Sequence, residues 1–295
     1  DQKYKIKNFE SNFIIDLDNL ILKNQYEFVN FLLKPKKEIK FQKHRVNVSF
    51  KKNFVDINGS GNILLQKNYD KIEYTLKKTK KDVKFNIKLN ILKNQFDLDI
   101  LNYKKKNDTN LEIKFKGKKI FDGITIFENI LLKEKLNIIQ IKNLIITNEN
   151  KISKFKRLEL DYNDKEGIKN QISILNNNNR YHLNGRSFNA NKLIENFLKT
   201  DSKKTKNIFK DSLKLKMNVE KTYLDKLNII NNLDGFLVFK DNEIIDANIS
   251  SQFSNEKKIS FTIKKDNNEK ITTFYSDLAK PFVKRYKFIK GFENG

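Results

Sequence analysis

The residues of this chain that could do chemistry are a Gly-Ser-Gly sequence, two histidines and two pairs of aspartates. Gly59-Ser60-Gly61 is too short for a phosphate-binding loop and lacks the Lys-Ser or Lys-Thr and the helix that follow in such a loop, so it indicates a turn. His44 and His182 are far apart in the sequence and belong to no metal-ligand spacing. Neither feature predicts a catalytic or metal site.

The aspartate pairs are Asp16 with Asp18 and Asp97 with Asp99. Residues two apart on a strand share a face, so either pair has the spacing of a general acid and base. Neither pair lies in a motif or beside a glycine-rich loop, which favours a solvated polar face. The chain has no Cys, which excludes a thiolate metal site. We expect no enzyme activity, cofactor or metal.

The elements that position side chains are long, two-faced strands. Apolar and polar residues alternate without a break through residues 82–91, DVKFNIKLNI, with the period of two of a β-strand. Similar runs, separated by a few polar residues, recur along the chain as in antiparallel hairpins. The predicted fold is mainly β: a long antiparallel meander curled into an elongated groove with an apolar concave face, plus two or three short helices.

The patterns also divide the chain. We expect a β-groove segment over residues 1–186, a short helix over 187–200, an exposed Lys-rich linker over 201–211 and a second β segment over 212–295. A short helix is expected over 24–33, where apolar residues recur at helical spacing before Pro35. A last short helix is expected near 277–286, with Pro281 in its first turn.

The apolar strand faces must be buried against something. A β-sandwich would bury them against a second sheet, whereas an open groove would bury them against acyl chains, each CH₂ contributing about 0.8 kcal/mol. The alternation fits both arrangements. In the groove interpretation the lipid-binding residues are Val83, Phe85, Ile87, Leu89, Ile91, Phe96, Leu98, Ile100, Leu111, Ile113, Phe115, Leu213, Leu215, Met217, Val219, Ile259, Phe261 and Ile263.

The net charge of the chain has two interpretations, an anionic partner or compositional drift. The 295 residues carry 60 Lys+Arg and 36 Asp+Glu, a formal net charge of +24. Such a surface attracts nucleic acid or anionic lipid. The lysines are spread along polar strand faces and form no clustered patch, as compositional drift in an AT-rich genome would produce. A polyanion-binding module is therefore the weakest alternative, and we expect no nucleic acid partner.

Residues 181–199, YHLNGRSFNANKLIENFLK, resemble a recurring element of the AsmA-like proteins: a strand ending in Gly, a Phe-polar-Ala turn and a short helix. The Leu233-Asp234-Gly235 sequence is similar to the family's Leu-x-Gly turn. Ser276-Asp277-Leu278-Ala279 after a strand is similar to its Ser-Asp-x-Ala-Gly helix, although Lys280 stands where the family has Gly. The resemblance covers residues 181–295.

This resemblance implies a periplasmic protein, anchored in the inner membrane by a region outside this segment. The family's apolar β-groove is thought to carry phospholipid toward the outer membrane, so the implied partners are phospholipid acyl chains, the inner membrane, and outer-membrane or periplasmic proteins. Because the chain begins with Asp1, we expect it to be a segment of a longer protein. The alternative function is a structural factor for outer-membrane protein assembly, with the apolar face paired to another protein's strands.

Overall fold

The computed structural model describes residues 10–23, 38–199, 209–241, 243–266 and 269–279. The prediction of a mainly β protein is confirmed: the described residues have 73% strand and nearly no helix, and their strands form a large mixed sheet that is open. No helix within these residues is long and apolar enough to cross a membrane.

The chain divides into two compact units whose segments interleave. Unit 1 comprises Asp1–Asp97, Lys104–Asn137 and Lys142–Asn148, and unit 2 comprises Leu98–Tyr103, Ile138–Ile141 and Glu149–Gly295. The expected division between residues 186 and 187 falls inside a strand of unit 2. Composition did not reveal the interleaving because the same alternating pattern continues through both units.

The first ten strands are β1 (Ser11–Lys23), β2 (Glu38–Lys51), β3 (Phe54–Leu64), β4 (Tyr69–Thr79), β5 (Asp82–Ile91), the short β6 (Asp97–Leu98) and β7 (Tyr103–Lys104), β8 (Leu111–Ile120), β9 (Thr125–Glu134) and β10 (Asn137–Ile146). In unit 1, antiparallel pairs join β1 to β2, β2 to β3, β3 to β4, β4 to β5, β5 to β8 and β8 to β9. The strand predicted over residues 82–91 is β5 itself.

The remaining elements are β11 (Ile152–Lys154), β12 (Arg157–Asn163), β13 (Lys169–Asn177), β14 (Arg180–Asn189), helix α1 (Asn191–Lys199), β15 (Leu213–Tyr223), β16 (Ile229–Lys240), β17 (Glu243–Phe253), β18 (Lys258–Asp266) and β19 (Glu269–Ser276). From β12 to β19 each strand pairs antiparallel with the next, except that β14 and β15 are parallel. The prediction of an entirely antiparallel meander is therefore wrong at this point. Parallel neighbours need a crossover connection, and α1 lies in it.

Gly59-Ser60-Gly61 is also not the predicted turn, because it lies inside β3. A Cβ on Gly59 would stand 2.2 Å from Cζ of Tyr74, and one on Gly61 would stand 2.4 Å from Nδ1 of His44. The glycines make room for two rings on neighbouring strands, which local sequence does not reveal.

The alternation at Phe96, Leu98 and Ile100 predicts a strand that does not form. Only Asp97–Leu98 is extended, and a 3-10 turn follows at Asp99–Leu101. The Tyr162 hydroxyl donates a hydrogen bond of 2.6 Å to the Leu101 carbonyl, which holds the turn. Ile100 is consequently 53% exposed.

Helix α1 lies within the predicted range 187–200 but begins later, because residues 187–189 still belong to β14. Asn189 connects strand and helix: its Oδ1 accepts a hydrogen bond of 3.1 Å from the Asn191 N–H, and its Nδ2 donates one of 2.7 Å to Oδ2 of Asp164. Side-chain acceptors of this kind satisfy the free N–H groups of a helix start.

The other expected segments fall mostly outside the described residues. These are the helix over 24–33, residues 201–208 of the linker and, from Lys280 on, the last helix; residues 277–279 are not helical. At the end of the linker Phe209 forms a parallel bridge with Ile152, and its ring contacts Phe239 with centroids 5.9 Å apart.

Replacing Asn189 by Ala should lower the free energy of unfolding by about 1–3 kcal/mol, because the buried Asp164 carboxylate and the first turn of α1 each lose a partner. Urea unfolding followed by circular dichroism measures this. The exposed Asn184 on the same strand provides the control, since Asn184→Ala should change stability little. Equal unfolding midpoints for the two variants would contradict the role given to Asn189.

Candidate functional site

The candidate site is the apolar face of the unit 1 sheet. Directly paired residues on neighbouring strands share a face, so the strand register decides which side chains stand together. The register produces four rows, called here the apolar rows: Ile91–Leu111; Ile72–Leu89–Ile113–Leu132; Val46–Gly59–Tyr74–Ile87–Phe115–Ile130; and Val48–Ile57–Leu76–Phe85–Gly117–Phe127.

Burial changes along the apolar rows from one end of β5 to the other. Ile91 and Leu111 are completely buried and Ile113 is 4% exposed, whereas Ile87 and Phe85 are only half-buried. A small core of Ile39, Ile63 and Leu65 lies at the buried end and packs against Phe41, Ile72 and Leu89. The face is therefore closed around Ile91 and more accessible toward Phe85.

Aromatic rings cluster where the face is more accessible. Gly117 stands between Phe85 and Phe127 in its row, and the rings of these two residues lie 5.6 Å apart, edge to face. Phe115 contacts Phe127 with centroids 6.5 Å apart. Such rings offer broad apolar contact. Phe127 was not among the predicted lining residues, because the bulge between Lys116 and Gly117 shifts the register of β9.

His44 is a polar group buried beside this face. It is 2% exposed, its Nε2 is hydrogen-bonded to the Tyr74 hydroxyl at 3.1 Å, and its ring stacks on Tyr74 and packs against Phe41. Its Nδ1 has no hydrogen-bond partner. Burial lowers the pKa of His44 and raises the pKa of Tyr74, since both charged forms would lose hydration. We therefore interpret the His44–Tyr74 pair as a packing contact between β2 and β4.

The register of unit 2 aligns its own set of predicted lining residues. Leu215 belongs to the row Leu215–Leu237–Ala247–Ile263 and Met217 to the row Met217–Gly235–Ile249–Phe261. Leu213 pairs with Phe239, and Val219 with Leu233. Ile259 is buried in a small core with Leu224, Ile230 and Phe253.

Several predicted lining residues lie apart from these rows. Val83 is half-buried at the end of β5, paired with Lys78 on one side and Lys119 on the other. Phe96 is buried but belongs to no strand, and Leu98 and Ile100 are displaced by the turn at Asp99–Leu101.

The opposite, polar face of the unit 1 sheet carries two adjoining cavities of about 710 and 580 Å³. Both are lined by Arg45, Ser60 and Glu73. The Arg45 guanidinium forms two hydrogen bonds with the Asp16 carboxylate, of 2.7 and 3.1 Å, and thereby lowers its pKa. Asp16 is thus an ion-pair partner, and we assign it no acid–base role with Asp18.

Across the described residues, no group of three or more His, Asp or Glu side chains could hold a metal ion.

Because burial lowers the pKa of His44, the unfolded chain takes up a proton more readily than the folded one. The His44 contribution to stability is therefore lost as the pH falls below the ordinary value of about 6.5. Urea unfolding at pH 7.5 and pH 5.5 should show a larger loss for the parent protein than for His44→Phe. Equal losses in the two proteins would show that His44 does not contribute to the pH dependence.

In comparisons with known proteins, no protein-family model, no curated protein and no solved structure matches the chain.

Proposed function

We propose that the apolar rows of unit 1 bind the acyl chains of lipids. The observation that carries the proposal is the alignment of apolar side chains in the apolar rows across β2, β3, β4, β5, β8 and β9. Within the described residues of unit 1 there is no helix to cover this face. An apolar ligand would supply the burial that a second protein layer supplies in a sandwich.

The burial gradient favours a chain-shaped ligand. A hydrocarbon tail lying over Phe85, Ile87 and Phe115 would gain about 0.8 kcal/mol for each CH₂ removed from water. The buried Ile91 and Leu111 would end the accessible stretch. Such binding depends on apolar contact, with no catalytic group, and leaves a charged headgroup in water.

The resemblance of residues 181–295 to AsmA-like proteins supports a cellular setting for this binding. In that setting the protein is periplasmic, is anchored in the inner membrane by a region outside this segment, and carries phospholipid between the inner and outer membranes. The rows of unit 2, including Leu215, Met217, Phe261 and Ile263, are a second proposed lining for acyl chains.

Replacing Phe85 and Ile87 by Asp places two carboxylates in the middle of the apolar rows and should abolish co-purification of phospholipid. The control is Asn58→Asp with Asn86→Asp, which adds the same charge at exposed positions of the polar face. Lipid extraction and mass spectrometry of both purified variants measure the bound phospholipid, and circular dichroism verifies their β content.

Retention of stoichiometric lipid by a folded Phe85→Asp, Ile87→Asp variant would overturn the assignment. A parent protein that co-purifies with another protein and carries no lipid would instead support the assembly-factor alternative. Steeply salt-dependent binding to nucleic acid, unchanged in both variants, would support the polyanion alternative.

A further inference from the structure

Four turns of unit 1 meet at the end of the sheet where β5 finishes, and we call this the basic end. It comprises residues 65–68, 92–96, 104–110 and 133–137. Hydrogen bonds tie the turns together: Gln66 Nε2 donates to the Gln95 carbonyl (2.9 Å), Lys105 Nζ to the Leu92 carbonyl (2.7 Å), and the Lys106 N–H to Oε1 of Glu134 (2.8 Å). The tips of the turns are therefore held in place.

Charges at the basic end are sorted by burial. Asp70 and Glu134, the carboxylates adjoining these turns, are 4% and 2% exposed, and Lys105 lies between them in the interior at 4%. The exposed charges are one carboxylate, Asp108, and the lysines Lys67, Lys93, Lys104, Lys106, Lys133 and Lys135. The outward surface is consequently strongly positive.

Exposed leucines stand among these lysines. Leu136, next to Lys135, is 87% exposed, and Leu92, next to Lys93, is 47% exposed. Lys135 has a left-handed backbone with φ 53°, and the Glu134 carboxylate beside it is anchored to Thr109. A nearly fully exposed leucine side chain on an anchored turn would gain free energy of binding if its apolar surface left water.

Lysines alone do not distinguish the two ends of the sheet. At the opposite end Lys51, Lys52, Lys80 and Lys81 are also exposed, beside the turn that carries Phe121. Phe121 is only 39% exposed, and Asp122 follows it. Of these two ends of the unit 1 sheet, the basic end is the one that combines a projecting leucine with flanking lysines and buried carboxylates.

We propose that the basic end docks on an anionic lipid bilayer, with Leu136 and Leu92 entering the interface and the surrounding lysines meeting the headgroups. Interfacial binding of this kind combines buried apolar area with attraction to anionic lipid. It does not depend on acyl chains occupying the apolar rows. A nucleic acid would be attracted by the lysines but would gain nothing from a projecting leucine.

The chain has no Trp, so Leu136→Trp provides a single reporter at the proposed contact. With vesicles of equal parts phosphatidylcholine and phosphatidylglycerol, its fluorescence should shift to shorter wavelength and be quenched by brominated acyl chains. Phe121→Trp, at the opposite end, is the matched control and should show neither change. The same response from both reporters, or from neither, would overturn the proposed orientation.

Sedimentation with the same vesicles measures affinity. The double variant Lys93→Gln, Lys135→Gln should weaken binding ~30-fold, because each lysine near an anionic surface raises the affinity about fivefold. Leu136→Ser should weaken it roughly tenfold or more. Lys52→Gln with Lys80→Gln removes equal charge at the opposite end and should have a much smaller effect. If Leu136→Ser binds as tightly as the parent, or if both lysine pairs weaken binding equally, the contact is a non-specific attraction and the proposal fails.

Discussion

The hydrogen-bonded register of the strands is the constraint on which the rest of unit 1 depends. Ile87 stands beside both Tyr74 and Phe115 because antiparallel pairing places directly opposed residues on one face. A slip of one residue between β4 and β5 would place the apolar side chains of β5 on the same side of the sheet as the polar side chains of β4. The apolar rows and the polar cavities are thus two consequences of the same pairing.

Turns connect the paired strands at the ends of the sheet. At the basic end, these turns bury the charged side chains of Asp70, Lys105 and Glu134. Burial lowers the pKa of Lys105 and raises the pKa of Asp70, because each charged form loses water. The nearby carboxylates of Glu134 and Asp70 oppose the change at Lys105. Inside, Glu134 accepts hydrogen bonds from the Lys106 N–H and the Thr109 hydroxyl, and Asp70 accepts one from Asn94, whereas the remaining lysines face outward. An arrangement that stabilises the turns therefore also shapes the electrostatics of the surface.

Sequence patterns predicted the secondary-structure elements that depend on residues close together in the chain. The alternation through residues 82–91 marked β5 at both ends, and a cluster of apolar residues beside asparagines marked α1. The errors have non-local causes. Gly59 was assigned to a turn because glycine is common in turns, but here it makes room for the ring of Tyr74 on the next strand. The displaced Ile100 depends on Tyr162, which lies far along the chain. Of the proposed lining, the alternating residues of β5, β8 and β15 were accessible to sequence reasoning, whereas Phe127 was not.

The sequence by itself determined that the chain forms many two-faced strands and few helices, since side-chain periodicity is a property of neighbouring residues. It also determined the excess of lysine. Only the tertiary structure decided which strands are neighbours, that β14 and β15 run parallel, and that Glu134 is buried while Leu136 projects into water. These outcomes depend on contacts between residues distant in the chain, whose energies no local pattern contains.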